Sequence, residues 1–200
     1  MVPLSVSQIE GATLTAWPAL KQAHDGLWLW RYARGYTKRA NSIHCLDSSD
    51  GAYAELRLQR MVELSAAHGI PPVFRVTPLT PPDIVEVLDG MQWEEFEPSL
   101  VMAMEMPDVD FPVEFNVRYF DPNDPEWYKA QAHMSGYSTE TIEILSQIIG
   151  RSPARRRACW STTRPVCRWR RCLPAWRAAW ASTSTSLPTL RPAAWAIAGR

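Results

Sequence analysis

From Arg151 to Arg200 the chain uses eleven Arg and not one Asp, Glu, Lys, Phe, Tyr, Asn, Gln or His. Such a segment cannot balance its own charge. Its few Leu, Ile and Val, even with five Trp, bury too little apolar surface to offset the entropy of ordering the chain. The residues that dominate it, Ala, Arg, Pro, Trp, Ser, Thr and Cys, are those that GC-rich DNA yields when read out of frame. Back-translation with a step of one nucleotide toward the 5′ side turns the stretch from Ala158 to Gly199 into a different sequence. That shadow has alternating apolar strands, a Gly-Gly turn, acidic residues and a closing R-G-x-G. Residues 158–200 are therefore expected to be an out-of-frame, poorly ordered tail.

The rest of the chain reads differently. The formal net charge of zero hides ten Lys and Arg against 21 Asp and Glu before residue 151, cancelled by the eleven Arg that follow. An acidic body argues against nucleic acid as a partner, because phosphate binding needs clustered cations. Only Cys45 lies in this body, while Cys159, Cys167 and Cys172 fall in the tail, so there is no disulfide framework and no paired zinc ligands. His44, His68 and His133 stand apart, which favours capping or surface roles over metal binding. Neither an N-terminal leader nor an apolar run of membrane length is present. The expectation is a cytoplasmic protein with no metal and no membrane partner; the sequence sets no oligomeric state.

The periodicity alternates between helix and strand. Ile9 to His24 has helical spacing broken at Pro18, giving one or two short helices. Leu27–Ala33 and Tyr36–Leu46 read as a β-hairpin about Arg34-Gly35. Asp50–His68 is an amphipathic helix with Leu56, Met61 and Leu64 on one face and Gly69 as its stop. Pro72–Thr77 is a strand, Pro81–Asp89 a helix, and Ser99–Met106 another strand. Beyond Pro107, Pro112–Tyr119 alternates as a strand. Asp124 caps a helix from Glu126 to about Ser135, and Ser138–Ile149 forms a second, with two possible caps in Ser138-Thr139-Glu140-Thr141 and Gly150 as its stop. The fold class is α/β.

These segments resemble a bacterial branch of the GNAT superfamily of N-acetyltransferases. The resemblance rests on Ala16-Trp17-Pro18-Ala19-Leu20 and the G-x-W-L-x-R-x-A-x-G-Y-T-x-R-A-N-S run from Gly26 to Ser42. It continues in Ala67-His68-Gly69-Ile70-Pro71-Pro72-Val73-Phe74-Arg75 and the Phe96-to-Met102 segment. It covers residues 10 to 157, and the shadow reading adds D-I-V-T-D-x-x-x-R-G-x-G, similar to the family's coenzyme strand and loop. The resemblance implies a GNAT-like mixed sheet flanked by helices. It divides the chain into a degenerate half-domain over 1–107, the start of a catalytic domain over 108–157, and the tail over 158–200.

It also implies acetyl-CoA as co-substrate and a small-molecule or peptide amine as acceptor. In that chemistry a base deprotonates the amine, the amine attacks the thioester, and a donor protonates the departing thiolate. Glu114 and Tyr128 are the catalytic candidates, with Trp127 beside them on the acceptor side. Trp28, Trp30 and Tyr32 share one strand face, either as an acceptor pocket or as an aromatic core stripe. Arg39 and Asn41 share a face in the R-A-N-S run, as a substrate contact or as a hydrogen-bond network pinning the strand. Glu94, Glu95 and Glu97 either attract a cationic amine or form a solvated turn.

The family's pyrophosphate loop needs glycines so that backbone N–H groups can approach the phosphates. The aligned positions here are Ala193, Ala194, Trp195 and Ala196, and the chain ends before the helix and strands that complete the coenzyme cleft. Acetyl transfer is thus the inherited function, with little or no coenzyme binding expected of the chain as it stands. Two other readings remain: a noncatalytic module with an acidic body and a basic tail, or a nonfunctional pseudogene product. Resequencing the source DNA across the codons for Gly150 to Arg200 is expected to reveal one gained or lost base near Arg157. Confirmation of the present frame would sink the frameshift.

Overall fold

The computed structural model describes residues 4–102, 117–121, 123–153, 158–161 and 193–197. The chain forms two compact units. The first comprises Met1–Gly11, Ala19–Met102 and Ala181–Arg200, and the second Ala12–Pro18 and Ala103–Trp180.

The first unit is α/β, built on a mixed sheet flanked by helices. Its elements are α1 (Val6–Ala16, which runs across the unit boundary), β1 (Lys21–Asp25), β2 (Trp28–Tyr32), β3 (Ile43–Cys45), α2 (Ala54–Ala67), β4 (Val73–Arg75), α3 (Pro82–Gly90) and β5 (Glu94–Ser99). The second unit contributes β6 (Val117–Phe120), α4 (Pro125–Ser135), α5 (Thr139–Arg151) and β7 (Ala158–Ser161), and β8 (Ala193–Ile197) returns to the first. The strand order is β1-β2-β3-β4-β8-β5. β3 and β4 are parallel, and every other neighbouring pair is antiparallel.

Strand alternation sorts the side chains of β2, β3 and β4 onto two covered faces. Trp28, Trp30, Ile43, Cys45 and Phe74 point to one face, where Leu58 and Met61 of α2 and Ile84 and Leu88 of α3 complete the apolar core. Burying each large side chain there contributes roughly 1.5–3 kcal/mol over leaving it in water. Trp28 meets Phe74 edge-on at 5.7 Å, and Trp30 stacks on Tyr32 with ring planes 7° apart. The Trp30 indole N–H donates to Ser65 Oγ at 2.8 Å, so this deep aromatic leaves no orphan donor. Buried positions on α2 follow the helical period as Ala54, Leu58, Met61 and Ser65. Leu56, expected on that face, is 48% exposed instead.

A guanidinium holds one end of this layer together. Arg57 Nε donates to Asp25 Oδ2 at 3.0 Å and Arg57 Nη1 to Asp50 Oδ1 at 2.6 Å. Its Nη2 donates to the Asp25 carbonyl, and the guanidinium lies 4.8 Å from the Trp28 ring centroid. Asp50 also accepts from the Leu27 amide at 3.2 Å and, through its carbonyl, from the Trp28 indole at 2.9 Å. One charged group thus joins the β1–β2 turn, the 47–50 turn and α2. Gly26 makes the turn at φ +60°, and a Cβ there would lie 3.2 Å from both Arg57 Nη2 and Asp50 Oδ2.

In the second unit β6 and β7 pair antiparallel. The helix caps match expectation: Asp124 accepts from the Glu126 amide at 2.9 Å, and Ser138 from the Thr141 amide at 3.1 Å. Gly136, at φ +65°, ends α4, and the Tyr137 amide closes back on the Ala132 carbonyl. Phe120, Trp127, Tyr128, Ile144, Leu145, Ile148 and Ile149 are buried.

Several expectations are corrected. Lys21–Asp25 is a strand rather than the end of a helix: Pro18 has no N–H, α1 stops at Ala16, and β1 pairs along its length with β2. The tight hairpin turn is therefore at Gly26-Leu27. Arg34-Gly35 instead begins a longer connection that contains a 3-10 turn at Lys38–Ala40, so the second strand shrinks to Ile43–Cys45. Glu94, Glu95 and Glu97 lie in β5 rather than in a turn; Glu94 and Glu95 pair with β8, and Glu97 sits in the irregularity between Phe96 and Ser99 at φ +52°. Leu100–Met102 is not strand, and 103–106 lies outside the described residues. α5 continues through Gly150 to Arg151, because helical hydrogen bonding tolerates an interior glycine at modest cost.

Replacing Arg57 by Leu would leave the part-exposed Asp25 and Asp50 without their cation and is expected to lower the unfolding free energy by about 1–2 kcal/mol. Gly26→Ala, which forces a Cβ into the left-handed region against Arg57, is expected to cost about 1–2 kcal/mol. Urea denaturation of the two variants checks both values, and wild-type midpoints would remove the clamp from the account.

Candidate functional site

The R-A-N-S run builds a loop around one amide side chain. Asn41 Oδ1 accepts from the backbone N–H of Ala33 at 2.7 Å and of Gly35 at 3.0 Å, and Nδ2 donates to the Thr37 carbonyl at 2.8 Å. Those bonds hold Arg34 and Gly35 at φ +52° and +80°. Asn41 is buried and Arg39 exposed. The 3-10 turn separates the two, so they do not share a face. The carbonyl of Arg39 accepts from Arg31 Nη1, while neighbouring Lys38 pairs with Glu97 at 2.5 Å and lies 4.3 Å from the Phe96 ring centroid.

Next to this loop, the second face of the sheet carries charge under cover. Arg31 of β2, Ser42, His44 of β3 and Arg75 of β4 are all buried, and so is Glu10 of α1, which accepts from Arg75 Nη1 in an ion pair. His44 is register partner to Arg75, and the Arg31 amide donates to the Ser42 carbonyl at 3.0 Å. His44 Nε2 lies 2.8 Å from Ser42 Oγ. Its Nδ1 is buried without a hydrogen-bond partner among the described residues.

Burial dominates the electrostatics of this layer. It pushes the Glu10 carboxyl up despite the attraction of Arg75, and it lowers Arg75 despite Glu10. Both halves of the pair therefore shift toward neutrality, as expected when desolvation outweighs attraction. Arg31 falls to about 10, through burial first and then repulsion from Arg75. His44 lies well below the usual imidazole range, again through burial and then through Arg31 and Arg75. It is thus neutral at pH 7, which corrects its expected capping or surface role. His68 does sit at the C-terminal cap of α2, its Nδ1 2.9 Å from the Leu64 carbonyl.

The remaining candidates scatter. Trp28 and Trp30 lie in the apolar core on the opposite sheet face, 0% and 2% exposed. Trp127 and Tyr128 pack edge-to-face at 5.0 Å, buried in the first turns of α4. Glu114 lies outside the described residues. Ala193, Ala194, Trp195 and Ala196 fall in β8, whose backbone pairs with β4 on one side and β5 on the other. An open groove of about 370 Å³ runs beside the Arg57 clamp, lined by Asp25, Asp50, Tyr53, Leu56 and Arg60. Tyr53, at φ +56° and 81% exposed, stands at its edge. No group of three or more His, Cys, Asp or Glu able to hold a metal occurs among the described residues, and no helix there is long and apolar enough to cross a membrane.

Comparison with known proteins places this architecture. A family model described as "Probable histone acetyltransferase Rv0428c C-terminal" matches residues 5–151, and the chain belongs to that acetyltransferase family. It is also similar to the "Uncharacterized N-acetyltransferase YobR" of Bacillus subtilis (strain 168), at 24% identity over 152 residues, which cover 74% of this chain and 60% of that protein. The chain thus spans less than two thirds of that relative's length. No solved structure matches.

Sequence reading singled out Asn41 but passed over Arg31, Arg75 and Glu10. The available signal was an Arg in each of two otherwise apolar strands, Trp28–Tyr32 and Val73–Arg75. Such a strand is covered on both faces, and the cation must find partners inside.

The titration of His44 gives a test. Its folded-state pKa is depressed, so its contribution is fully present above the unfolded value near 6.5 and is lost as pH falls below that. Stability is expected to drop with a slope approaching about 1.4 kcal/mol per pH unit between pH 6 and 5. His44→Asn should flatten that slope. Glu10, whose pKa is raised, works in the opposite sense in both proteins, so the difference between their urea titrations isolates His44. An unchanged slope in the variant would refute the assignment.

Proposed function

We propose that this chain descends from an acetyl-CoA-dependent N-acetyltransferase of GNAT type, acting in the cytoplasm on an amine of a small molecule or peptide. The observation that carries this reading is the family match across residues 5–151. Residues 1–107 are read as the degenerate half and 108–157 as the opening of the catalytic domain.

The residues at the coenzyme-loop positions do not fit the coenzyme. A pyrophosphate cradle requires backbone N–H groups that point outward from a glycine-bearing turn at the start of a helix. Ala193 to Ala196 instead form a strand with partners on both sides, Arg75 and Phe96 both registering with Trp195. Its amides belong to the sheet ladder, and no step of acetyl transfer is derived through these positions. We read residues 158–200 as out of frame, the coenzyme loop belonging to the adjacent frame.

The test compares the chain as it stands with one whose frame is restored by a single base near codon 157. Saturable acetyl-CoA binding by titration calorimetry and amine-dependent thiol release are expected only of the restored chain. Equal binding by both would overturn the assignment of the loop. Failure of the folded, restored chain to bind would overturn the acetyltransferase reading.

A further inference from the structure

The exposed side of α2 carries a strained aromatic and an unpaired cation. Tyr53, Leu56 and Arg60 follow one another along it at helical spacing. Tyr53 begins the helix at φ +56° and is 81% exposed. That backbone region is unfavourable for any residue with a Cβ. The Tyr53 side chain makes no hydrogen bond, ion pair or ring stacking among the described residues, so no such contact offsets the strain. Strain of this kind, at the edge of a groove, points to function.

The groove itself brings two opposite charges together without pairing them. Asp25 and Asp50 share the single Arg57 guanidinium, which leaves one negative charge over. Asp25 Oδ2 accepts from Arg57, whereas its Oδ1 accepts from no donor among the described residues, and the side chain is 44% exposed. Arg60 is exposed and forms no ion pair with either carboxylate, so the charges stand apart. Leu56, 48% exposed, and Tyr53 add an aliphatic and an aromatic surface to the lining. The volume of about 370 Å³ is that of a small-ligand cleft.

We propose that this groove binds a linear zwitterion, its ammonium on Asp25, its carboxylate on Arg60, and a short apolar spacer along Tyr53 and Leu56. The planar donors of a guanidinium match a carboxylate, and the surplus negative charge beside Arg57 matches an ammonium. A ligand bearing only anions is repelled by Asp25 and Asp50, and one bearing only cations by Arg60. Exposed ion pairs are individually weak, so both must form at once, and spacer length becomes the selective feature. Every lining residue belongs to the first unit, and the site does not depend on the acetyl-transfer reading.

The experiment titrates glycine, γ-aminobutyrate and ε-aminocaproate calorimetrically into the full chain at constant ionic strength. One of the two longer zwitterions should saturate a single site about ten-fold more tightly than glycine, which has no spacer to pack. Hexylamine and hexanoate, each lacking one charge, should bind about five-fold more weakly than ε-aminocaproate if that is the tighter ligand, and butylamine and butyrate more weakly than γ-aminobutyrate if that is. Arg60→Gln and Tyr53→Gly, both at exposed positions, should each weaken the binding by a similar factor. Absence of saturation by all three zwitterions, equal binding of a singly charged analogue, or binding that either substitution leaves unchanged would overturn the proposal. The analogue comparison uses wild type alone, so it decides the matter even if a variant fails to fold.

Discussion

Arg57 sets the geometry on which the first unit depends. A guanidinium offers five donors in a fixed plane, and here that plane is shared between Asp25 at the end of β1 and Asp50 before α2, with the Trp28 ring against it. Two strands, a turn and a helix must arrive together for those donors to be satisfied. The side chain is only 10% exposed, so an unsatisfied arrangement would leave a charge in low dielectric. This converts many local preferences into one register: Trp28 is fixed by its indole bond to Asp50, and from Trp28 the alternation of β2 decides which residues meet α2 and α3.

That alternation also explains why two kinds of chemistry lie back to back. The odd-looking neighbours Trp30-Arg31 and Phe74-Arg75 are adjacent in sequence yet separated by the thickness of the sheet. The apolar face supplies stability through area removed from water. The polar face supplies little, because the partners of a buried ion pair each lose their hydration. Ions in that layer therefore specify position more than they stabilise it, and the Asn41 loop beside them does the same with neutral hydrogen bonds.

Much of this was legible in the residues. The caps at Asp124 and Ser138, the stop at Gly69 and the short strand Val73–Arg75 follow from side-chain chemistry that acts within four or five positions. β1 and β5 were not legible, because both are mostly exposed and carry polar residues that give no alternation; their strand character comes from partners far along the chain. The Asn41 loop was half legible: its hydrogen-bonding residue was identified, but the 3-10 turn that parts it from Arg39 depends on backbone positions with no apolar period. The polar sheet face was missed because periodicity counts treat an Arg between apolar neighbours, as at Arg31 and Arg75, as an exposed position.

β8 has one further implication. A strand seated between two others is selected by its backbone, since ladder bonds use N–H and C=O groups that nearly every residue owns. The slot between β4 and β5 thus makes few demands on identity beyond the absence of proline. A gap of this sort is forgiving of mutation in the element that fills it, and closing it removes two exposed strand edges from contact with other chains.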